Sequence, residues 1–209
     1  MTTEQFRTWA RARQLPDRLN PQQISQLKTY VRVLSEWNAR LNLTGFSLDD
    51  DLPSALDRLV LEPVLVATHI TEGVRSLIDI GSGSGSPAIP LLVAAPWLEL
   101  TMVESRQRKS VFLREAVRAI GMRATVANIR VEDAAGSRNN TPFSAASLRG
   151  VRLDDTIVSA IRSLISPGSP VFYFDSTIAD PISPNGLSEP ETQLFPELPS
   201  FKLSIYRLI

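Results

Sequence analysis

The segment LIDIGSGSGSPAIP, residues 77–90, joins an apolar run to alternating glycines and then to an apolar segment opened by a proline. This pattern is typical of a buried strand, a tight turn and the helix that follows. Glycine is needed where φ is positive or where a ligand approaches the backbone, and Pro87 suits the first turn of a helix. The turn is therefore expected at the carboxyl end of a strand, where open α/β sheets bind ligands.

The glycine spacing distinguishes between two kinds of nucleotide loop. Gly81 and Gly83 fit the dinucleotide pattern G-x-G-x-x-G, but its third glycine position is Ser86, and Gly85 comes one residue early. The pattern G-x-G-x-G after Asp79 looks more like the S-adenosylmethionine (SAM) loop of class I methyltransferases. The alternative is a glycine turn that only closes a strand–helix unit.

A second predicted strand, residues 98–103, ends at Glu104, 19 residues beyond Gly85. A doubly wound fold places an acid at this point against ribose hydroxyls. A carboxylate suits that position because it only accepts hydrogen bonds and can take both hydroxyl protons. The alternative for Glu104 is a solvated charge at the end of a strand.

The composition excludes several classes of site. The 209 residues fit one domain with an extension. The 22 basic and 22 acidic residues cancel, so binding to nucleic acid would need a local basic patch. Cysteine is absent and His69 is the only histidine, so we expect no metal site and no Ser–His machinery. No apolar run is long enough to span a membrane, and residues 1–5 do not resemble a signal peptide, which predicts a soluble cytoplasmic protein.

Helix and strand patterns alternate along the chain. We predict helices over 6–14, from Pro21 into 37–45, over 56–69, 106–120 and 154–165, and strands over 77–80, 98–103, 124–127, 141–148, 171–174 and, at the sheet edge, 202–208. Val111 is expected to face the core. The helix over 106–120 is basic near its start, at Arg106, Arg108, Lys109 and Arg114. These residues form either a solvated face or a contact with phosphate. The order predicts an α/β fold with a doubly wound, mostly parallel sheet.

Several motifs, in order, resemble the ribosomal RNA small-subunit methyltransferase G family, also called glucose-inhibited division protein B. They are WNARLNLT at 37–44, DIGSGSG at 79–85, IPL at 89–91, Glu104-Ser105 with Arg108-Lys109, and Phe112-Leu113. The resemblance implies a class I methyltransferase fold with an N-terminal helical extension over 1–70 and a SAM-dependent domain over 71–209. It implies methyl transfer to N7 of a guanine in small-subunit (16S) ribosomal RNA, free or in the 30S subunit. We expect the protein to be a monomer.

The resemblance also implies roles for individual residues. The cofactor contacts would be Asp79, Gly81, Ser82, Gly83, Gly85, Glu104, Ser105, Arg130 and Val131. Arg149 and Asn38 would lie on the catalytic, substrate side, with Arg149 contacting a phosphate or a base edge. Asn38 and Asn42 share a helix face because they are four residues apart, so C-terminal capping is the alternative for Asn38.

The departures from the family pattern cluster on the substrate half. Leu59 stands where the family has histidine, Ser144 where it has an acid, and Asp175 where it has lysine. Ser86 replaces an apolar residue after the third glycine. The cofactor half is more complete. A SAM-dependent methyltransferase with another acceptor, or a SAM-binding protein without turnover, are therefore the alternatives.

Overall fold

Seven strands of the described chain form one mostly parallel sheet. The computed structural model describes residues 1–48, 50–134, 141–174 and 184–209. The strands are β1 (Ser76–Ile80), β2 (Glu99–Val103), β3 (Thr125–Ala127), β4 (Ala145–Arg149), β5 (Pro170–Phe174), β6 (Glu191–Leu194) and β7 (Lys202–Arg207). Their order is β3-β2-β1-β4-β5-β7-β6, with β7 antiparallel to both neighbours. The predicted α/β fold with a mostly parallel sheet is confirmed.

The described helices flank this sheet. They are α1 (Thr3–Ala12), α2 (Pro21–Leu41), α3 (Leu52–Leu56), α4 (Glu62–Ala67), α5 (Ala88–Ala94), α6 (Gln107–Ala119) and α7 (Asp155–Leu164). The Asn20 side chain accepts from the Gln23 backbone N–H and Pro21 occupies the first turn, so α2 begins where its capping signals predict. Within the described ranges, no helix combines the length and apolar character that crossing a membrane requires.

The helix predicted over 56–69 is interrupted by a π-turn at Asp57–Leu61, between α3 and α4. Pro63 has no backbone N–H, so it cannot donate to the Leu59 carbonyl as an α-helix requires. The backbone widens, and the Glu62 N–H donates to the Asp57 carbonyl five residues earlier. The carbonyls of Arg58 and Leu59 are then available to side chains from elsewhere in the chain.

The two faces of the sheet pack against different helices, because successive residues of a strand point to opposite faces. Leu77 and Phe174 pack in one core with α1, α2, the segment 52–67, α5 and α6. Ile78 and Leu148, on the opposite face, pack with α7. The first 70 residues therefore share their core with one face of the sheet.

Two predictions about the fold are wrong. The last strand, β7, is not at the edge, because β6 pairs with its outer side. Val111 is 45% exposed, whereas Leu113 is buried. The buried stripe of α6 consists of residues 112, 113, 116 and 117. Residue 111 comes one position before this stripe, so its side chain points to solvent.

Candidate functional site

The glycine-rich turn after β1 lies at the carboxyl edge of the sheet, as its sequence predicts. The N–H groups of Gly81 and Ser82 donate to the Val103 carbonyl of β2, at 2.9 and 3.1 Å. The Gly85 N–H donates to the Ser82 carbonyl at 2.6 Å, and the Ser82 hydroxyl donates to the Asp79 carbonyl at 3.1 Å. These bonds hold the turn in one shape between β1 and α5.

Helix α2 also supports the turn. Tyr30 is fully buried, and its hydroxyl donates to the Ser84 carbonyl at 2.9 Å. Burial raises the pKa of the Tyr30 phenol, so the phenol stays a donor at neutral pH. The N-terminal helices therefore fix the loop directly, a contact that sequence reasoning missed because 54 residues separate the partners.

The three glycines of the turn have different surroundings. A Cβ on Gly81 would lie 2.5 Å from Val151 Cγ2, and one on Gly85 would lie 2.7 Å from Ile89 Cδ1. A Cβ on Gly83 would have Gly81 O at 3.6 Å and Lys109 Nζ at 3.9 Å as its nearest atoms. A Cβ on Gly81 or Gly85 would clash with a neighbouring side chain, whereas the Cβ position of Gly83 has no atom closer than 3.6 Å. We call the space at this position the open face of Gly83.

Glu104 lies at the end of β2 beside this open face, and its side chain is buried. One carboxylate oxygen accepts from the Gly83 N–H at 3.0 Å, and the other accepts from the Arg106 N–H at 2.7 Å. A carboxylate offers about four lone-pair sites, so these two bonds leave acceptor capacity for hydroxyl groups. Glu104 therefore joins the glycine loop to the start of α6 and is still able to accept from a ligand.

A cleft of about 150 Å³ opens next to Glu104. Its lining is mainly aliphatic and includes two carboxylates, Glu104 and Glu132. The residues that line it are Ile80, Gly81, Val103, Glu104, Ser105, Ile129, Arg130, Val131, Glu132, Val151 and Ile157. The structure thus brings five of the predicted cofactor residues, from three separate segments, to one cleft. An apolar slot with a carboxylate at its side is suited to a flat ring joined to a sugar.

Asp79 is buried on the sheet face that packs against the N-terminal helices. Its Oδ1 accepts from the Ser147 hydroxyl at 2.6 Å, and its Oδ2 has no hydrogen-bond partner among the described residues. Burial raises the pKa of Asp79 from 3.8 to about 6, against the opposing effects of the Ser147 hydrogen bond and of the Arg149 charge. Asp79 thus places an acidic group with unused hydrogen-bonding capacity behind the glycine turn.

Arg149 extends from the end of β4 on the same face, with only 13% of its side chain exposed. Its Nη2 donates to Glu62 Oε2 at 2.7 Å, and its Nη1 donates to the Arg58 carbonyl. The guanidinium lies 4.8 Å from the Phe174 ring centroid, and its Nε has no partner in the described chain. Burial lowers the pKa of Arg149 to about 10, which still leaves it charged at neutral pH.

Glu62 is the functional-site candidate that sequence reasoning missed. Its side chain is 1% exposed and accepts from Arg149 on one oxygen and from Arg58 Nη1, at 2.7 Å, on the other. Burial raises the pKa of Glu62, while the two arginines oppose that shift. An acid inside an apolar helix, four residues after an arginine, was the available signal. The second arginine could not be found this way, because it is 87 residues away.

Asn38 caps the end of α2. Its Oδ1 accepts from the backbone N–H groups of Leu43, at 2.7 Å, and Thr44, at 3.0 Å. Asn42 takes a left-handed conformation that ends the helix. The Asn38 side chain therefore caps the helix, which was the alternative to a functional role. A contact between Asn38 and substrate stays a prediction.

The family departures lie in different places. Ser144 Oγ accepts from the N–H groups of Arg75 and Ser76, at 2.9 and 2.8 Å. It therefore lies at the amino end of β1, on the opposite edge of the sheet from the glycine turn, and not on the substrate side. Leu59 is a core residue. Asp175 lies outside the described residues. Among the described residues, no group of acids and histidine could hold a metal ion.

Comparison with known proteins gives one consistent family. Residues 23–177 match the family model described as GidB, rRNA small subunit methyltransferase G. Proteins named ribosomal RNA small subunit methyltransferase G include relatives from Stenotrophomonas maltophilia, 35% identical over 148 residues, and Paramagnetospirillum magneticum, 39% identical over 113 residues. The alignments cover 68% and 54% of this chain. They cover 64% and 53% of those proteins, so the chain spans about half to two thirds of their length.

Solved structures share the fold at low sequence identity. Mitomycin 7-O-methyltransferase MmcR superposes with a TM-score of 0.58 at 16% identity, covering 90% of this chain and 69% of that one. An O-methyltransferase family protein from Burkholderia thailandensis gives 0.55 at 13%, covering 93% and 76%. A mutant of MtNAS in complex with S-adenosylmethionine gives 0.55 at 13%, covering 88% and 71%. The fold is thus the class I methyltransferase fold. Because the family match takes in most of α2, the glycine turn, Glu104 and all the parallel strands β1 to β5, the chain belongs to the GidB family, rRNA small subunit methyltransferase G.

Proposed function

We propose that this chain transfers a methyl group from SAM to N7 of a guanine in small-subunit ribosomal RNA. The observation that carries the proposal is that the family match over 23–177 contains the whole glycine turn, Glu104 and the adjoining cleft. The relatives' shared name supplies the substrate class. The resemblance supplies the guanine N7 position.

The residues around the cleft fit SAM. The aliphatic walls from Ile80, Val103 and Val131 suit an adenine ring, and Glu104 lies where it can accept from ribose hydroxyls. The open face of Gly83 would allow the methionine portion to lie against the backbone. Ser82, Gly81 and Gly85 keep the turn in shape, and Arg130 and Val131 close the adenine side. When bound, SAM supplies a methyl group already activated by the sulfonium.

Guanine N7 is an acceptor with a free lone pair, so its methylation requires no general base. The contribution of the chain is then alignment of the nucleophile with the methyl group, and the site requires no histidine or cysteine. A methylated N7 leaves the base cationic, so a carboxylate close to the reacting end would favour the product charge. Arg149 is held by Glu62 and the Arg58 carbonyl, which favours a positioning role over direct contact with phosphate.

Residues 1–70 serve, in this proposal, as a helical extension that supports the SAM-dependent domain over 71–209. The hydrogen bond from the Tyr30 hydroxyl to the Ser84 carbonyl supports this role, because it joins the extension to the glycine turn. The partner would be ribosomal RNA, free or in the 30S subunit, and the protein would act as a monomer in the cytoplasm, where that substrate is found. Asn38 would act on the substrate side through the loop that it caps.

A second candidate is a SAM-dependent methyltransferase with an acceptor other than RNA. Arg58 and Arg149 would be expected in a basic surface with Arg106, Arg108 and Lys109, yet both are engaged with Glu62. The Glu62 carboxylate offsets one of these two positive charges and holds both side chains, so together they contribute less to a field that attracts phosphate. This observation favours the second candidate. The methyl-transfer experiment described next separates the two candidates.

The test is methyl transfer from labelled SAM to purified 30S subunits and to naked 16S ribosomal RNA, both taken from cells that lack the family enzyme. Label in a single guanine of either substrate is the expected result. If the protein binds SAM in calorimetry but labels neither substrate, the RNA proposal is contradicted. The protein would then methylate another acceptor or bind SAM without turnover.

A further inference from the structure

The open face of Gly83 has one charged side chain beside it. Lys109 lies in the first turn of α6, and its Nζ lies 3.9 Å from the position that a Gly83 Cβ would take. At the two other glycines of the turn, Val151 and Ile89 leave no room at the Cβ position. A ligand seated on the turn therefore reaches backbone at Gly83 and an ammonium group at Lys109.

The start of α6 is held in place, so this proximity has a structural cause. The Ser110 hydroxyl donates to the Glu104 carbonyl at 3.0 Å, and Glu104 Oε1 accepts from the Arg106 N–H at 2.7 Å. The other Glu104 oxygen accepts from the Gly83 N–H. The same carboxylate thus fixes both the helix that carries Lys109 and the glycine that Lys109 faces.

Lys109 differs from the other cations at this end of α6. Arg106 and Arg108 are exposed, whereas Lys109 is half-buried against the turn. In the part of the chain that the structure describes, no carboxylate forms an ion pair with Lys109. An anionic group on the Gly83 face would therefore lie within reach of the Lys109 ammonium and would supply it with a counter-ion.

We propose that Lys109 binds an anionic oxygen group seated on Gly83, and that this group is the carboxylate of the cofactor's amino-acid end. The inference rests on the proposed function. With adenosine in the cleft beside Glu104 and Val131, the amino-acid end extends along the turn past Gly83. The second source of the same chemistry is a phosphate of the RNA substrate.

Calorimetry with two probes tests the assignment, using SAM and decarboxylated SAM, which lacks only the carboxylate. Lys109→Gln should weaken SAM about tenfold, the scale of a charge-assisted hydrogen bond, and leave decarboxylated SAM unchanged. Lys109→Arg should retain most of the SAM affinity. Arg118→Gln is the matched control, because Arg118 is an exposed cation in the last turn of the same helix. Thermal unfolding checks that each variant is folded.

The other outcomes are distinct. Unchanged SAM affinity in Lys109→Gln, with weaker binding to 16S ribosomal RNA and a shallower salt dependence, would identify the anion as a phosphate. Unchanged affinity for both SAM and RNA would overturn the proposal. Wild-type protein that does not bind SAM would instead overturn the proposed function and the carboxylate assignment with it.

Discussion

The carboxylate of Glu62 joins Arg149 to Arg58 in the interior, with both nitrogen–oxygen distances at 2.7 Å. This arrangement connects the end of β4 to the helical segment 52–67, and Ser86 adds a contact from the glycine turn to Arg149 at 3.3 Å. A buried ion pair adds little stability compared with an apolar replacement, but removing one partner leaves a charge uncompensated. Glu62 is therefore the residue on which this part of the site most depends.

Glu62→Gln should lower the free energy of unfolding by about 3–5 kcal/mol, the usual cost of leaving a buried charge unpaired. Urea unfolding at pH 7 measures the loss. Glu36→Gln is the control, because Glu36 pairs with Arg32 on an exposed surface of α2, where the expected loss is about 0–1 kcal/mol. Similar losses for the two variants would contradict the special position of Glu62.

Pro63 and Ser86 should be energetically coupled. Ser86 Oγ donates at 2.9 Å to the Leu59 carbonyl, which Pro63 cannot reach with an N–H. Ser86→Ala should therefore cost about 1–3 kcal/mol by leaving a buried carbonyl without a donor. In a Pro63→Ala background, the restored N–H can donate to Leu59, so the same Ser86→Ala change should cost less.

A double-mutant cycle on the free energy of unfolding measures that coupling. Additive costs for the two changes would show that the backbone N–H restored by Pro63→Ala does not replace the Ser86 hydroxyl.

The sequence predicted the parts of this molecule that local patterns determine. The glycine turn, the acid at 104 and the cap of α2 all depend on residues close in sequence. β6 was missed because Glu191–Leu194 is short and mostly exposed, so no apolar alternation marks it. The surroundings of Arg149 were missed for another reason, because Glu62 and Phe174 are distant in sequence. The sheet topology places β4 next to β5 and so Arg149 next to Phe174, and Glu62 contacts Arg149 across 87 residues of the chain.

Asp79 should make stability depend on pH in a specific direction. Its pKa is raised from 3.8 to about 6, so the folded protein binds this proton more tightly than the unfolded chain. Stability from this group is therefore present below about pH 4 and is lost as pH rises to about 6. A shift of about two pKa units corresponds to about 3 kcal/mol.

Asp79→Asn should remove that dependence. The Asn Oδ1 can still accept from Ser147, and the variant should be more stable than wild type at pH 7, with the difference shrinking toward pH 4. SAM affinity should fall, since the variant lacks the acid of the glycine motif. Urea unfolding at several pH values measures the first effect, with exposed Asp50→Asn as the control. A constant difference between Asp79→Asn and wild type across this range would contradict the assignment.

Gly83→Ala and Gly121→Ala separate the binding role of the turn from its conformation. Both glycines have positive φ, +48° and +69°, so each substitution should cost about 1–2 kcal/mol in backbone strain. A Cβ on Gly121 meets no atom within 4 Å, whereas one on Gly83 would fill the space 3.9 Å from Lys109 Nζ, where we propose that the cofactor lies. We therefore expect similar losses of stability in urea, but a loss of SAM affinity on the order of tenfold or more for Gly83→Ala alone. If calorimetry gives both variants the affinity of wild type, the turn only connects β1 to α5 and the cofactor lies elsewhere.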